Sequence, residues 1–415
     1  MEALTANGVE AALFLETPDE RALARFAGYR ALGLAGVSRS QSPAWMDEHL
    51  PPAFEWLRAT GAPLCHYKVC STFDSAPHAG SIGRAIDIGL RVFDAPFAPV
   101  VAGAPSLGRY TLFANLFAAA GPQVHRIDRH PTMSRHPVTP MDEADLRLHL
   151  GRQTAKSIAS FDILSLQAPD VDAHYHRLLE TNPGVVLFDV LDEQSLTQIG
   201  RLLWQEATAR QTFVAGSSGV EYALVAHWRE AGLLPPPKTF ASAEVDRIVV
   251  LSGSCSPVTE SQIRWAESNG YAALRLDVAA LAENPESARA SIDQAVLALA
   301  QGRSAVLYTA LGPDDRSPAA LDLDAVGRHA GHALRDVIAR SGVRRAVVAG
   351  GDTSGHAGQQ LGLYALTMQA PIAPGAPLCR AWSDDPTRDG LEVVFKGGQC
   401  GKQDFFESVR QGRAQ

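Results

Sequence analysis

Three short turns in the second half of the sequence are rich in glycine and hydroxyl side chains. They span residues 252–256, 350–355 and 396–402, and each follows an apolar run of strand length. Small residues let the main chain approach an anion closely, while hydroxyls and main-chain N–H groups donate hydrogen bonds to it. The composition therefore predicts phosphate-binding turns. Ordinary capped turns, or a flexible hairpin turn in the third segment, are the alternative.

The second and third turns carry additional charged side chains. Asp352 follows two glycines and is predicted to hold Mg²⁺ through water, with a helix cap as its alternative role. The third turn is not a Walker A motif, because Lys396 stands where that motif has glycine and Gln403 where it has serine or threonine. Its glycines and lysines still suit the phosphates, ribose or base of a nucleotide.

A polar loop in the first half of the sequence offers different chemistry. Lys68, Ser71, Thr72 and Asp74 supply a cation, two hydroxyls and a carboxylate at the end of the apolar run Leu64–Val69. This set suits a polyhydroxylated carboxylic acid better than an apolar ligand. Asp74 as a turn cap and Lys68 as a solvated surface residue are the alternative.

Two arginines and a long loop add to this candidate acid site. Arg39 follows a predicted strand and Arg109 lies in a stretch predicted to be irregular, and either guanidinium suits a carboxylate. Residues 125–140 are predicted to form a structureless loop that acts as a lid or a site wall. Its histidines lack i, i+4 spacing, so we predict no metal cage.

Apolar runs of strand length alternate with helical segments along the chain, a pattern typical of parallel α/β folds. In the first half, strands are predicted at Val9–Glu16, Ala31–Val37, Leu64–Val69, Pro99–Ala104, Asp162–Leu166, Val185–Val190 and Thr212–Ala215. The prolines at 235–237 cannot continue a helix or a central strand, and the alternation resumes at Ile248. We therefore predict two α/β domains with mostly parallel sheets flanked by helices, and an active site in the cleft between them.

Composition excludes several classes of protein. The 415 residues carry 37 basic and 45 acidic side chains, a net charge of −8, so neither nucleic acid nor an anionic membrane is an expected partner. The five cysteines are scattered, which predicts reduced thiols. The sequence contains neither a recognisable signal peptide nor a long apolar span, so we expect a cytoplasmic protein. Its 46% hydrophobic content allows a homodimer.

Five motifs, in this order, resemble the four-carbon acid sugar kinase family: Lys68–Ser75, His136–Met141, Ser252–Ser256, Gly350–Ser354 and Gly401–Phe406. The resemblance covers the chain from end to end. It implies an ATP- and Mg²⁺-dependent kinase that phosphorylates a terminal hydroxyl of a 3-oxo-tetronate, threonate, erythronate or 3-oxo-isoapionate. Residues 1–234 are expected to bind the acid and residues 239–415 to bind ATP.

The resemblance, together with the composition of the turns, gives the expected site residues. The nucleotide site is expected to comprise Ser252, Gly253, Ser254, Ser256, Gly350, Gly351, Asp352, Thr353, Gly398, Gly401 and Lys402. The acid site is expected to comprise Arg39, Lys68, Ser71, Thr72, Asp74 and Arg109. Asp74, as a substrate-orienting carboxylate, and Asp352, on the Mg²⁺ side, are the expected catalytic residues.

One family feature is missing from the sequence. Members open with a strand and Asp-Asp-x-Thr-Gly, whereas this chain begins with the short helical segment Met1–Ala6, so we expect the first domain to lack its first strand and turnover to be impaired. A nucleotide- or metabolite-binding regulator without turnover is therefore one alternative function. A nicotinamide-dependent dehydrogenase of hydroxy acids is another, disfavoured because no G-x-G-x-x-G follows a strand near either domain start.

Overall fold

The computed structural model describes residues 1–136, 138–237, 239–315 and 321–415. The chain divides into two compact units. The middle unit is Gly36–Pro236, and the terminal unit combines Met1–Ala35 with Pro237–Gln415. The first segment contributes α1 (Glu2–Ala6), β1 (Ala11–Phe14), α2 (Glu20–Ala24) and β2 (Ala31–Leu34) to the terminal unit.

The middle unit contains one parallel sheet covered by helices on both faces. Its helices are α3 (Pro43–Ala59), α4 (Ile82–Phe93), α5 (Leu146–Gly151), α6 (Ile163–Leu166), α7 (Val171–Leu179), α8 (Glu193–Ala209) and α9 (Gly219–Glu230). Its strands are β3 (Leu64–Lys68), β4 (Ala98–Val101), β5 (Arg109–Leu112), β6 (Asn115–Ala120), β7 (Gln123–Arg126), β8 (Ile158–Phe161), β9 (Val185–Phe188) and β10 (Thr212–Gly216).

The five parallel strands of the middle unit lie in the order β3-β10-β4-β9-β8. Along β9, Val185 and Leu187 pack into one core while Val186 and Phe188 pack into another, because successive side chains point to opposite faces of a strand. Burial on both faces explains why these strands are continuous apolar runs. A separate antiparallel sheet has the order β5-β6-β7.

The terminal unit is built on a nine-stranded sheet. Its remaining helices are α10 (Pro257–Ser268), α11 (Val278–Glu283), α12 (Arg289–Ala300), α13 (Leu323–Ser341), α14 (Gly351–Gln360) and α15 (Phe405–Gln411). Its remaining strands are β11 (Val249–Ser252), β12 (Ala272–Arg275), β13 (Ala305–Tyr308), β14 (Arg345–Ala349), β15 (Ala365–Ala373), β16 (Ala376–Trp382) and β17 (Glu392–Lys396). The strand order is β12-β13-β11-β14-β17-β16-β15-β1-β2, and the first five are mutually parallel.

The α/β fold class with mostly parallel sheets is confirmed, but some predicted elements were wrong. Asp162–Leu166 is not a strand: the Asp162 carboxylate accepts from the main-chain N–H of Ser165 and caps the short helix α6, and the strand β8 precedes it. The stretch around Arg109 is not irregular, since β5 and β6 pair there. Residues 125–140 are not wholly structureless either, because β7 and two 3₁₀ turns occupy part of them, and Pro137 lies outside the described residues.

The division of the chain also differs from the predicted domains at its beginning. Strand β1 pairs with β15, with Ala12 opposite Thr367, so the first 35 residues belong to the terminal unit and not to the middle unit. The later break, at Pro236–Pro237, falls within the proline run. In the described part of the chain, no helix combines the length and apolar character needed to cross a membrane.

Candidate functional site

The three glycine-rich turns meet at one edge of the nine-stranded sheet. They follow β11, β14 and β17, which are neighbours and parallel, so their carboxyl ends lie side by side. The Gly253 N–H donates to the Ala349 carbonyl at 3.0 Å, and the Gly350 N–H donates to the Lys396 carbonyl at 3.0 Å. In open α/β sheets, ligands bind at this edge.

The close packing of the turns explains their glycines. A Cβ on Gly253 would lie 2.1 Å from Thr353 Oγ1, and a Cβ on Gly398 would lie 2.5 Å from Ser254 Oγ. Gly350 has φ +120°, a conformation that other residues rarely adopt. A Cβ at Gly253 or Gly398 would therefore require the Thr353 or Ser254 side chain, or the turn itself, to shift.

Two helices begin at these turns. The Ser256 hydroxyl caps α10 by accepting from the Val258 N–H at 3.2 Å, and the Ser254 hydroxyl accepts from the Ser256 N–H at 3.2 Å. Helix α14 begins at Gly351, so Asp352 lies in its first turn; the Asp352 side chain lies outside the described part of the structure. Unpaired N–H groups at a helix start favour a phosphate group.

Helix α10 anchors the third turn. The Thr259 hydroxyl donates to the Gly398 carbonyl at 2.7 Å. The Gln262 side-chain amide lies within hydrogen-bond distance of the carbonyls of Cys400, Gly401 and Lys402, at 2.9, 3.2 and 2.9 Å. These carbonyls therefore point towards α10, while the Lys402 side chain is exposed.

Ser252, the last residue of β11, links the first turn to the neighbouring strand. Its side chain is buried, and its carbonyl accepts from the N–H of Thr309 at 2.9 Å, at the end of the adjacent strand β13. We did not predict Thr309 from the sequence. The signal was available, because Thr309 follows the apolar strand Ala305–Tyr308 just as the other turns follow theirs.

In the middle unit, Asp74 is the centre of the predicted acid site. Its carboxylate is fully buried, pairs with the Arg39 guanidinium at 2.7 Å and accepts from the Thr72 hydroxyl. Burial alone would raise the pKa of Asp74, but the Thr72 hydrogen bond and the charges of Arg39 and His136 outweigh it and lower the pKa. Asp74 is therefore ionised at neutral pH, while the Arg39 side chain keeps 62% of its surface exposed.

A buried network holds the loop that carries Asp74. The Ser75 hydroxyl lies 2.9 Å from His149 Nε2, and the Gln153 amide nitrogen lies 3.0 Å from the Ser75 hydroxyl. Gln153 also accepts from the Gly83 N–H at 3.2 Å, so His149 of α5 and Gln153, just after the helix, together hold both ends of the segment. Burial lowers the pKa of His149 to about 4, and its ring is therefore neutral at pH 7.

Of the other predicted acid-site residues, Lys68 and Ser71 belong to the same segment as Asp74, whereas Arg109 does not. Lys68 is exposed and donates to the carbonyl of Val69 at 2.7 Å, and Ser71 is half-buried in the same loop as Asp74. Arg109 donates to the carbonyl of Leu107, and no hydrogen bond or ion pair among the described residues joins it to Asp74. The structure thus brings Arg39, Thr72 and Asp74 into direct contact, but not Arg109.

A turn beside Lys68 was missed by sequence reasoning. Strand β10 neighbours β3, with Gly216 opposite Lys68, and is followed by Ser217, Ser218 and Gly219. The Gly219 N–H donates to the Ser217 hydroxyl at 2.9 Å as α9 begins. Glycines and serines directly after the predicted strand Thr212–Ala215 were the available signal.

His66 and Glu221, which are both partly buried, form a pair beside this turn. One ring nitrogen of His66 lies 2.9 Å from the Glu221 carboxylate and the other lies 3.0 Å from the Gly216 carbonyl. Both partners are acceptors, so both hydrogen bonds form only when both ring nitrogens are protonated. Burial would raise the pKa of Glu221, but His66 outweighs it and the pKa falls to about 2.

The described residues include no group of three or more His, Cys, Asp or Glu side chains arranged to hold a metal ion. Kinase sites commonly hold Mg²⁺ with one or two carboxylates and the phosphates of the nucleotide. The hydroxyls and glycine turns around Thr353 fit such a shared site, in which the protein supplies few ligands.

Comparison with known proteins shows what this chain is similar to. A sugar-binding N-terminal domain family matches residues 1–224, and a nucleotide-binding C-terminal domain family matches residues 249–406. The chain is 49% identical to the 3-oxo-isoapionate kinase of Paraburkholderia graminis, over 100% of this chain and 91% of the relative. It is 32% identical to the 3-oxo-tetronate kinase of Cupriavidus necator, over 98% of this chain and 93% of the relative.

A solved structure has the same fold. A Haemophilus influenzae protein, assigned to a family of unknown function, is 24% identical with a TM-score of 0.71, over 98% of this chain and 95% of the other.

Proposed function

The chain belongs to the four-carbon acid sugar kinase family, and from this premise we propose that it transfers the γ-phosphoryl group of ATP to a hydroxyl of 3-oxo-isoapionate. The choice of acid is supported by the 49% identity to a 3-oxo-isoapionate kinase, compared with 32% to a 3-oxo-tetronate kinase. The acid and ATP are the proposed partners. A homodimer stays a prediction, which light scattering on the purified protein tests.

The observation that carries the proposal is the convergence of three glycine turns at neighbouring strand ends. Gly253 packs against Thr353 and Gly398 packs against Ser254, so three segments far apart in sequence form one surface of hydroxyls and main-chain groups. Two of the segments lead into helix N-termini, which favour negative charge. Such a surface suits the triphosphate of ATP.

The acid is proposed to bind at the Asp74 loop of the middle unit. Arg39 is held on one side by Asp74 and is well exposed, so it can bind the substrate carboxylate. Ionised Asp74 is fully buried and orients the substrate indirectly, through the Arg39 guanidinium that it holds. Lys68, Ser71 and Thr72 belong to the same segment and are proposed to contact the remaining oxygens of the acid.

Mg²⁺ is the second cofactor that we propose, with Asp352 as the protein carboxylate that would help to hold it. When bound, the ion neutralises charge on the β- and γ-phosphates. The protein's own contribution is to orient the phosphates with the N–H groups of the turns and with the hydroxyl of Thr353.

A screen of acceptor acids tests this function. ATP consumption is measured with 3-oxo-isoapionate, 3-oxo-tetronate, threonate and erythronate, and the phosphorylated product is identified by mass spectrometry. We expect the highest kcat/KM with 3-oxo-isoapionate. A preference for a four-carbon acid would overturn the assignment of substrate, while ATP binding without turnover of any of the four would favour a regulator.

A further inference from the structure

Lys396, the last residue of β17, is a buried lysine beneath the third turn. Only 1% of its surface is exposed, and lysine is among the residue types least often buried. The sequence indicated that the lysines of this turn suit a nucleotide, but Lys396 was not among the residues assigned to the nucleotide site. Its burial sets it apart from Lys402, which lies in the same turn with an exposed side chain.

The amine of Lys396 has polar and aromatic neighbours but no carboxylate partner. It donates to the Thr259 hydroxyl at 3.0 Å and lies 5.7 Å from the centroid of the Phe405 ring. Among the ion pairs of the described residues, none includes Lys396. A buried cation without a counter-charge is unfavourable, which points to an anion that is bound only part of the time.

Lys396 connects two of the three turns. Its amine holds Thr259, whose hydroxyl in turn donates to the Gly398 carbonyl at 2.7 Å. Its own carbonyl accepts from the N–H of Gly350 at 3.0 Å, at the start of the second turn. The side chain and the main chain of one residue thus fix the glycines on either side of the candidate phosphate site.

We propose that Lys396 is a positioning residue for the nucleotide, which orients the Gly398 turn through Thr259 and supplies the buried positive charge behind the phosphates. The proposal rests on the proposed function only in taking ATP as the ligand. It adds a residue that lies beneath the third turn and is not expected to contact the substrate acid.

The protonation of the amine makes the proposal testable. Burial lowers the pKa of Lys396 to about 8, and the nearby Cys400 acts in the opposite direction. Helices α10 and α15 present Thr259 and Phe405, which stay uncharged at this pH. The side chain of Asp352, from α14, is outside the described part. Because a bound triphosphate favours the charged amine, we expect a proton to be taken up from the buffer when ATP binds near pH 8.

The test is calorimetric titration of the full chain with ATP at pH 8 in buffers of different ionisation enthalpy. If ATP raises the pKa by one unit, uptake is about 0.4 protons per ATP and the protonated protein binds ATP about tenfold more tightly. Lys396→Met is expected to abolish the uptake and to weaken ATP binding at pH 8 about fivefold, because half of the free protein is already unprotonated at this pH. Thr259→Val is expected to weaken binding but to keep the uptake. Lys156→Met, which removes an exposed lysine of the middle unit, is the matched control and leaves both unchanged.

The outcomes separate this proposal from the kinase assignment. ATP binding without proton uptake, or equal uptake by Lys396→Met, would overturn the role of Lys396 whatever the acid screen shows. Uptake that depends on Lys396, together with no phosphorylation of any acid, would support the role and contradict the kinase assignment. Circular dichroism shows whether each variant is folded; if Lys396→Met is not, loss of the uptake in Lys396→Gln supports the proposal and its persistence contradicts it.

Discussion

Arg39 and Asp74 form a pair in which one partner is buried and the other remains accessible. The carboxylate is fully buried and the guanidinium keeps 62% of its side-chain surface exposed. In the proposed acid site, this asymmetry would let Asp74 orient Arg39 while Arg39 contacts the substrate. The sequence predicted both residues as site members, but not that they bind each other, because 35 residues separate them.

Replacing Arg39 tests the acid site. Arg39→Gln is expected to raise the KM for the acid about 10- to 100-fold, because a hydrogen bond to a charged group contributes about 1.5–3 kcal/mol. The KM for ATP is expected to stay the same. Steady-state kinetics measure both values. Arg84→Gln, which breaks the exposed ion pair with Asp47, is the control. An unchanged KM for the acid would rule out Arg39 as its anchor.

His149 gives the middle unit a pH-dependent stability. Burial lowers the pKa of its ring from 6.5 to about 4, so its contribution to the free energy of unfolding is complete above pH 6.5 and is lost as the pH falls towards 4. The loss is about 3 kcal/mol. Urea denaturation at pH 7 and pH 4.5 measures it. His149→Gln is expected to reduce the difference between the two pH values, whereas His78→Gln, at an exposed histidine, leaves it unchanged.

At the scale of elements, the three strand-to-helix turns depend on contacts that the sequence does not reveal. Gly397 and Gly398 are adjacent in the third turn, yet a Cβ on Gly398 would lie 2.5 Å from Ser254 Oγ, while a Cβ on Gly397 would have no atom within 4 Å. Their sequence contexts are nearly the same. Only the neighbouring turn distinguishes them.

This difference predicts the effect of alanine at each position. Gly398→Ala is expected to raise the Kd for ATP about tenfold or more, because overpacking costs about 1–3 kcal/mol and displaces the turn from α10. Gly397→Ala is the matched control, with an expected change of less than twofold. Titration calorimetry measures both. Equal effects of the two substitutions would contradict the tight packing of Gly398 against Ser254.

At the scale of the whole molecule, each unit has hydrophobic cores of its own. The cores of the middle unit lie on both faces of its parallel sheet, and those of the terminal unit flank its nine-stranded sheet. The turns proposed to bind phosphate lie in the terminal unit, and the Asp74 loop lies in the middle unit. Each ligand is therefore expected to stabilise the unit that binds it.

Scanning calorimetry tests this division. We expect two unfolding transitions, of which ATP at 100 times its Kd stabilises one by about 2.7 kcal/mol. The other is expected to be the one that His149→Gln shifts at pH 5. A single transition shifted by both ATP and His149→Gln would contradict independent unfolding of the units.

The sequence by itself determined the alternation of strands and helices, the break at the proline run and the turns that follow strands, because local periodicity and turn chemistry decide these features. It did not determine that β1 pairs with β15 or that Lys396 is buried without a counter-charge. Strand pairing and burial depend on segments hundreds of residues apart, so only the tertiary structure decided which glycines touch and which charges face one another.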